Sequence, residues 1–267
     1  MHTEWISGRP VCTHRLTTEG NPDVKIMHCP QHMGENLARN LATVRELGPL
    51  SVGFTELDMG RTDFTDAVIR GLPKHEILAP DRGEHSREVP IALRRGARTT
   101  LERVDLIRLS RDLPGPGIGN DRWMNVVRFS HRGSPYFHVA THWNAAIQDR
   151  ATGRMRQNAR VEATVTASQL LLTEVGRLIA EGREGWVTGD FNYRVHQKPG
   201  FRLWEHSPQA CFTELGMTWV DDGLDYLAWT SGVALRPGKR VQTIPAGAAG
   251  NGSDHPWLVG TFTRTAG

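Results

Sequence analysis

The feature that most limits how this chain can fold is a recurrence. Short apolar runs rich in β-branched and aromatic residues follow one another along it, and they repeatedly close on an acid or an imidazole. Such runs cover 24–29, 50–54, 89–93, 103–107, 124–129, 136–140, the stretch before Gly189, 224–227 and 257–262. Their length suits strands rather than helices, and turn formers bound them. Helical spacing is confined to a few places. Leu37, Leu41, Val44 and Leu47 recur at helical intervals and stop at Gly48-Pro49, 62–72 could form a second helix, and Val161, Val165, Leu172, Val175 and Ile179 mark a long third one. Strands that outnumber helices, with the helices in two clusters, predict an α+β domain of two packed sheets flanked by helices.

A chain of 267 residues can use its whole length in one such two-sheet domain, so a single domain over 1–267 is expected. Residues 1–23 read as an irregular N-terminal arm and 73–88, polar and charged, as a surface loop; the Pro- and Gly-rich run between Asp112 and Asp121 cannot be regular. No apolar run reaches the ~18 residues of a membrane span, and the first residues lack the basic and apolar regions of a signal peptide. The expectation is a cytoplasmic monomer with no membrane contact. Cys12, Cys29 and Cys211 are odd in number and scattered, which fits reduced thiols better than a disulfide framework or a zinc finger. The net charge of +3 permits a polyanionic partner without requiring one, and the preference for Arg over Lys carries little weight.

The chemistry collects at the ends of the runs. After Trp186-Val187-Thr188, Gly189 lets the chain turn, and Asp190 and Asn192, two apart on extended backbone, share a face while Phe191 turns back to the core. A carboxylate beside a carboxamide suits a phosphate centre: the anion takes a proton or holds a metal, and the amide donates without titrating. Glu56, His142, Asp225 and the pair Asp254-His255 stand at other strand ends. Each alone reads more simply as a solvated strand end, a turn residue or a satisfied histidine. Together they describe one rim of a sheet, where a rigid scaffold gathers distant residues.

In that order, Thr55-Glu56, Thr141-His142, Gly189-Asp190-Phe191-Asn192, Leu224-Asp225-Tyr226 and Ser253-Asp254-His255-Pro256 resemble the marks of the endonuclease/exonuclease/phosphatase superfamily, the deoxyribonuclease I-like proteins, over nearly the whole chain. The resemblance implies a four-layer αββα sandwich of two mixed sheets. It also implies roles. Glu56 would bind Mg²⁺ (or Mn²⁺) with Asp254 nearby, His255 would be the base with Asp225 fixing its tautomer, Asp190 and Asn192 would orient water and phosphate, and His142 would neutralise or protonate the leaving side. One departure stands out: where the family carries an asparagine at the end of the first strand, this chain has His28-Cys29-Pro30-Gln31-His32. Gln31 could stand in, or His28 or His32 could shift the preference toward Mn²⁺ or Zn²⁺.

The expected activity is metal-dependent phosphodiester hydrolysis of nucleic acid. Basic segments follow His142 and Asn192 directly, so Arg154, Arg156 and Arg194 are candidate phosphate contacts. A phosphomonoesterase, a phospholipid phosphodiesterase, and an inactive relative that only binds nucleic acid or protein are the alternatives.

Overall fold

Strand alternation decides which residues meet. The computed structural model describes residues 4–6, 9–11, 23–31, 36–57, 63–82, 86–96, 98–110, 121–145, 147, 159–193 and 204–265. After a short hairpin, β1 (Glu4–Ile6) with β2 (Arg9–Val11), come β3 (Val24–Pro30), α1 (Leu37–Leu47), β4 (Ser51–Thr55), α2 (Asp63–Gly71), β5 (His75–Leu78) and β6 (Ile91–Arg94). The chain continues through β7 (Thr99–Ser110), β8 (Arg122–His131), β9 (Ser134–His142), α3 (Ala159–Ala180), β10 (Glu184–Asp190) and α4 (Pro208–Glu214). It ends with β11 (Thr218–Asp222), β12 (Asp225–Trp229), β13 (Val233–Leu235), β14 (Gln242–Ile244) and β15 (Trp257–Arg264).

These strands form two large mixed sheets. One runs β13-β15-β3-β4-β6-β5 with β14 also on β15, and the other runs β11-β12-β10-β9-β8-β7. Among the described residues only β3–β4 and β9–β10 pair in parallel within them. Three apolar layers hold the sandwich. Ile26, Ile91, Phe129, Trp186, Leu227 and Phe262 pack between the sheets. Met27, Val52 and Trp257 face α1 and α2 through Leu41, Val44 and Val68. Val139, Val187 and Tyr226 face α3 and α4 through Leu171, Val175 and Phe212. Neighbouring residues therefore part company: Ile26 goes inward and Met27 outward, Trp186 inward and Val187 outward, as the two-residue period of a strand requires. Four layers, helix, sheet, sheet, helix, follow from that alternation.

The sheets approach closely at Gly53 of β4. A Cβ there would overlap Thr188 Oγ1 and come within 3.2 Å of both Ala140 Cβ and His138 Nε2. Around this point the inner face turns polar. Ser51 Oγ lies 2.6 Å from His138 Nδ1, and His138 Nε2 lies 2.9 Å from Thr188 Oγ1. Since Thr188 donates to Val139 O at 3.3 Å, it accepts from Nε2–H, and Nδ1 accepts from Ser51. One neutral imidazole thus ties β4 to β9 and β10.

Two expectations need correcting. The N-terminal arm is not wholly irregular, because it holds the β1–β2 hairpin. The stretch 73–88 is not simply a surface loop: it contains β5, an edge strand antiparallel to β6, and it ends on Glu88, which is fully buried. The Gly-rich approach to His255 is tied down by Asn251, whose side chain donates to Ile244 O, Pro245 O and His255 O and accepts from Ser253 N. The run between Asp112 and Asp121 lies outside the described residues apart from its last member.

Candidate functional site

Register places three of the sequence-predicted residues in a row. Asp190 ends β10; its partner on the parallel neighbour β9 is His142, and its partner on the antiparallel neighbour β12 is Asp225. Residues directly opposite on paired strands point to the same face. That face looks into the gap between the sheets, because Trp186 and Thr188 precede Asp190 at the inward positions of β10. Asp225 begins its strand, yet it reaches the same rim because β12 runs antiparallel to β10.

The other sheet supplies the facing groups. His28, an inward residue of β3, places Nε2 2.8 Å from Asp225 Oδ1. His255, just before β15, places Nδ1 2.8 Å from Asp225 Oδ2. Asp225 is thus clamped between two imidazoles, and although burial alone would raise its pKa, those contacts hold it below the usual carboxylate range. The same partnership raises His255: burial opposes the charge, but the bond to Asp225 and the charges of Asp190, Asp225 and Glu56 push it up to about 10. Asp190 goes the other way for a carboxylate. Burial first and the neighbouring Asp225 second push it up to about 6, against the opposing pull of His142 and His255.

The turn after β10 is built from its own polar side chains. Asn192 N donates to Asp190 Oδ1 at 2.8 Å, and Nδ2 of Asn192 reaches Asp190 Oδ2 at 3.2 Å, Trp143 O at 3.1 Å and His142 Nε2 at 3.2 Å. Asn192 takes a φ of 50° and Glu56 a φ of 57°, left-handed backbone that few side chains adopt. Strain of this kind at two residues of one cluster is a mark of functional sites. Phe191 between them packs against Trp143, Phe212 and Tyr226, as the alternation predicts.

Two residues of the site escaped the sequence reading. Glu88 and Arg122 form a buried ion pair at 2.6 Å, and both lie against His142 Nδ1, Arg122 at 3.0 Å and Glu88 at 3.3 Å. Burial would raise Glu88, but Arg122 and His142 outweigh it and keep the carboxyl low. Both ring nitrogens of His142 meet a donor and a carboxylate: Arg122 and Glu88 at Nδ1, and at Nε2 the Asn192 amide with Glu56 at 3.7 Å and Asp190 at 3.6 Å.

Ligand atoms of Glu56, His142 and Asp190 lie within 4.8 Å of one another, as do those of Asp190, Asp225 and His255. Two carboxylates and an imidazole, with Glu56 partly exposed, are a donor set that fits a divalent cation retaining several waters. Asp254 is exposed and does not join either group. Gln31 is buried with its amide turned to Cys29 and Asn40, so it does not reach the cluster, and His28 is engaged with Asp225. His32, Arg154, Arg156 and Arg194 lie outside the described residues.

No family model and no curated protein matches this sequence. Solved structures do. An endonuclease/exonuclease/phosphatase from Bacteroides vulgatus superposes with a TM-score of 0.64 over 91% of this chain and 100% of its own, at 15% identity. D. rerio TDP2, solved with a single-strand DNA product, gives 0.62 over 90% and 99%, at 13% identity. The mannosyl-6-phosphatase Bt3783 of Bacteroides thetaiotaomicron gives 0.63 over 90% and 99%, at 13% identity. Likeness at this level of identity speaks for the fold.

Proposed function

From a chain that has the fold of the endonuclease/exonuclease/phosphatase proteins, we propose that this protein hydrolyses phosphate esters, and that its substrate is a phosphodiester of nucleic acid. One observation carries the reading: Asp225, Asp190 and His142 stand side by side on three strands of one sheet and meet His255 and Glu56 at a single rim. Asp190, with a pKa near 6, is ionised at neutral pH yet basic enough to accept a proton from the attacking water. His255, held by Asp225 through Nδ1 and raised to about 10, is a cation there. Its Nε2–H donates to a phosphate oxygen and then gives its proton to the leaving oxygen as the phosphorus–oxygen bond breaks. This assignment gives Asp190 the part of base first expected of His255, and gives His255 the protonation of the leaving oxygen first expected of His142. Asn192 positions Asp190 through both carboxylate oxygens, and Glu88 with Arg122 holds the ring of His142. Glu56 would hold a divalent cation, which when bound supplies neutralisation of phosphate charge.

Two further points support nucleic acid as substrate: the DNA product bound to the similarly folded TDP2, and the position of Arg154, Arg156 and Arg194 in segments adjoining His142 and Asn192. The fold shared with a mannosyl-6-phosphatase keeps a phosphomonoester as the second reading. Plasmid DNA, single-stranded RNA and a phosphomonoester should be incubated in parallel with Mg²⁺, with Mn²⁺ and with chelator. Asp190→Asn should lower turnover of the preferred substrate by about a hundredfold or more without loss of the fold, because a positioned base contributes about 10²–10⁴. Hydrolysis of the monoester alone would move the substrate to that class, and an unaffected Asp190→Asn would refute the site.

A further inference from the structure

At the end of the sandwich opposite the acid–imidazole rim lies a cleft of about 1600 Å³. It is formed where β3 and β4 begin, where β6 hands over to β7, at the β8–β9 hairpin, and by the segment 236–244. β9 runs nine residues from this end at Ser134 to the other at His142. At about 3.3 Å per residue the two sites are roughly 25–30 Å apart, so one cannot be a lobe of the other.

The lining of the cleft is unbalanced in charge. Among the described residues, eight Lys and Arg side chains face a single carboxylate, Asp23. Asp23 is engaged by Arg236. Lys25 donates to Leu47 O, and Arg94 reaches only the carbonyl of Gly48. Arg95, Arg98, Arg132, Lys239 and Arg240 are exposed and have no carboxylate partner among the described residues. The field they create is visible at His131 in the same cleft, whose pKa burial lowers first and the cations Arg132 and Arg98 lower further. Several cations elsewhere on the surface are paired: Arg177 with Glu174 and Glu181, Arg183 with Glu102, Arg103 and Arg128 with Asp105. Concentrated unpaired charge in a concavity is costly to fold and attracts a polyanion.

We propose that this cleft is a second binding site, for the phosphodiester backbone of double-stranded nucleic acid, distinct from the hydrolytic rim. The residue types set the class of ligand. Five guanidinium or ammonium groups with no carboxylate partner among the described residues suit successive phosphates, with Arg able to grip two oxygens at once. Among the described residues no Phe, Tyr or Trp lines the cleft, and so these residues offer no platform for stacking unpaired bases, as binders of single strands do. Contact would be with the backbone alone and insensitive to base sequence. Such a site would hold a long substrate to the protein while another part of it reaches the opposite rim.

The test is fluorescence anisotropy with a labelled 20-base-pair duplex across a range of salt, on the wild type and on the combined variant Arg95→Gln, Arg98→Gln, Arg132→Gln. These side chains are exposed, so thermal unfolding should not change. Loss of about three phosphate contacts should reduce the magnitude of the slope of log affinity against log salt by about 2.7, at about 0.9 per phosphate. Affinity near 100 mM salt should fall at least tenfold. Binding is read in chelator, so the result does not depend on hydrolysis, and a failure of the catalytic proposal would leave it standing. An unchanged slope and affinity would overturn the proposal. So would a variant that keeps duplex binding but loses binding to phosphatidylserine vesicles, which would assign the cleft to an anionic membrane surface instead.

Discussion

His138 should make this protein unusually sensitive to mild acid. The imidazole is fully buried between the sheets, accepts from Ser51 at 2.6 Å and donates to Thr188 at 2.9 Å. Burial, assisted by the neighbouring His28, pushes its pKa down to about 3, against 6.5 for an ordinary histidine. Both hydrogen-bond roles need the neutral ring, since a protonated Nδ1 would turn a donor toward the Ser51 hydroxyl that now donates to it. The sign follows from linkage. The unfolded chain takes up the proton first, so the stabilisation held above pH 6.5 is lost progressively as pH falls toward 3. With these two values, about 2 kcal/mol should be lost between pH 7 and pH 5, and about 3 kcal/mol by pH 4, from this residue alone. The assay is urea unfolding of the wild type and of His138→Gln at pH 7, 5 and 4. The variant is less stable at pH 7, because Ser51 and Thr188 lose their partner, but its stability should fall with pH by that much less. Parallel pH dependences in the two proteins would refute the buried, neutral assignment.

Gly53→Ala should destabilise the fold by about 1–3 kcal/mol, the usual cost of overpacking, because its methyl meets Thr188, Ala140 and His138 together; a melting temperature equal to that of the wild type would show that the sheets have room to part. Glu56→Gln should raise the concentration of divalent cation needed for half-maximal activity by tenfold or more, since even partners that only support metal ligands contribute about 10–100-fold. A metal titration that superposes on the wild type would remove Glu56 from the cation site.

How much of this could be read from the sequence depends on the separation of the partners. The long strands and α1, α2 and α3 were legible because their period is local, and so was the rim, because Glu56, His142 and Asp190 end runs whose direction the sequence reveals. The short edge strands β5, β13 and β14 carry three or four residues each, too few for a period to emerge. α4 is short as well, although Ser207-Pro208 is a proper helix start, with Ser207 Oγ accepting from Ala210 N at 3.1 Å. Contacts across layers left no local trace. Glu88 pairs with Arg122 from 34 positions away, and His28 with Asp225 from 197. A buried charge in a polar stretch looks like a surface charge until its counterion is found.

The structure also shows how the rim divides its charge. Two carboxylates stand next to each other across β10 and β12, both almost fully buried, and the arrangement would be unfavourable if neither were compensated. Compensation falls almost wholly on one of them. Asp225 receives an imidazole on each oxygen, both from the opposite sheet, whereas among the described residues Asp190 receives only the amide groups of Asn192 as hydrogen-bond donors, with His142 farther off at 3.6 Å. The pKa values part accordingly, Asp225 downward and Asp190 up to about 6. Groups whose environments drive their pKa values apart are the ones that can take different roles in one reaction. Asp225 is then a fixed anion that holds His255 in place, and Asp190 is the carboxylate whose charge is left for a proton or a cation to meet.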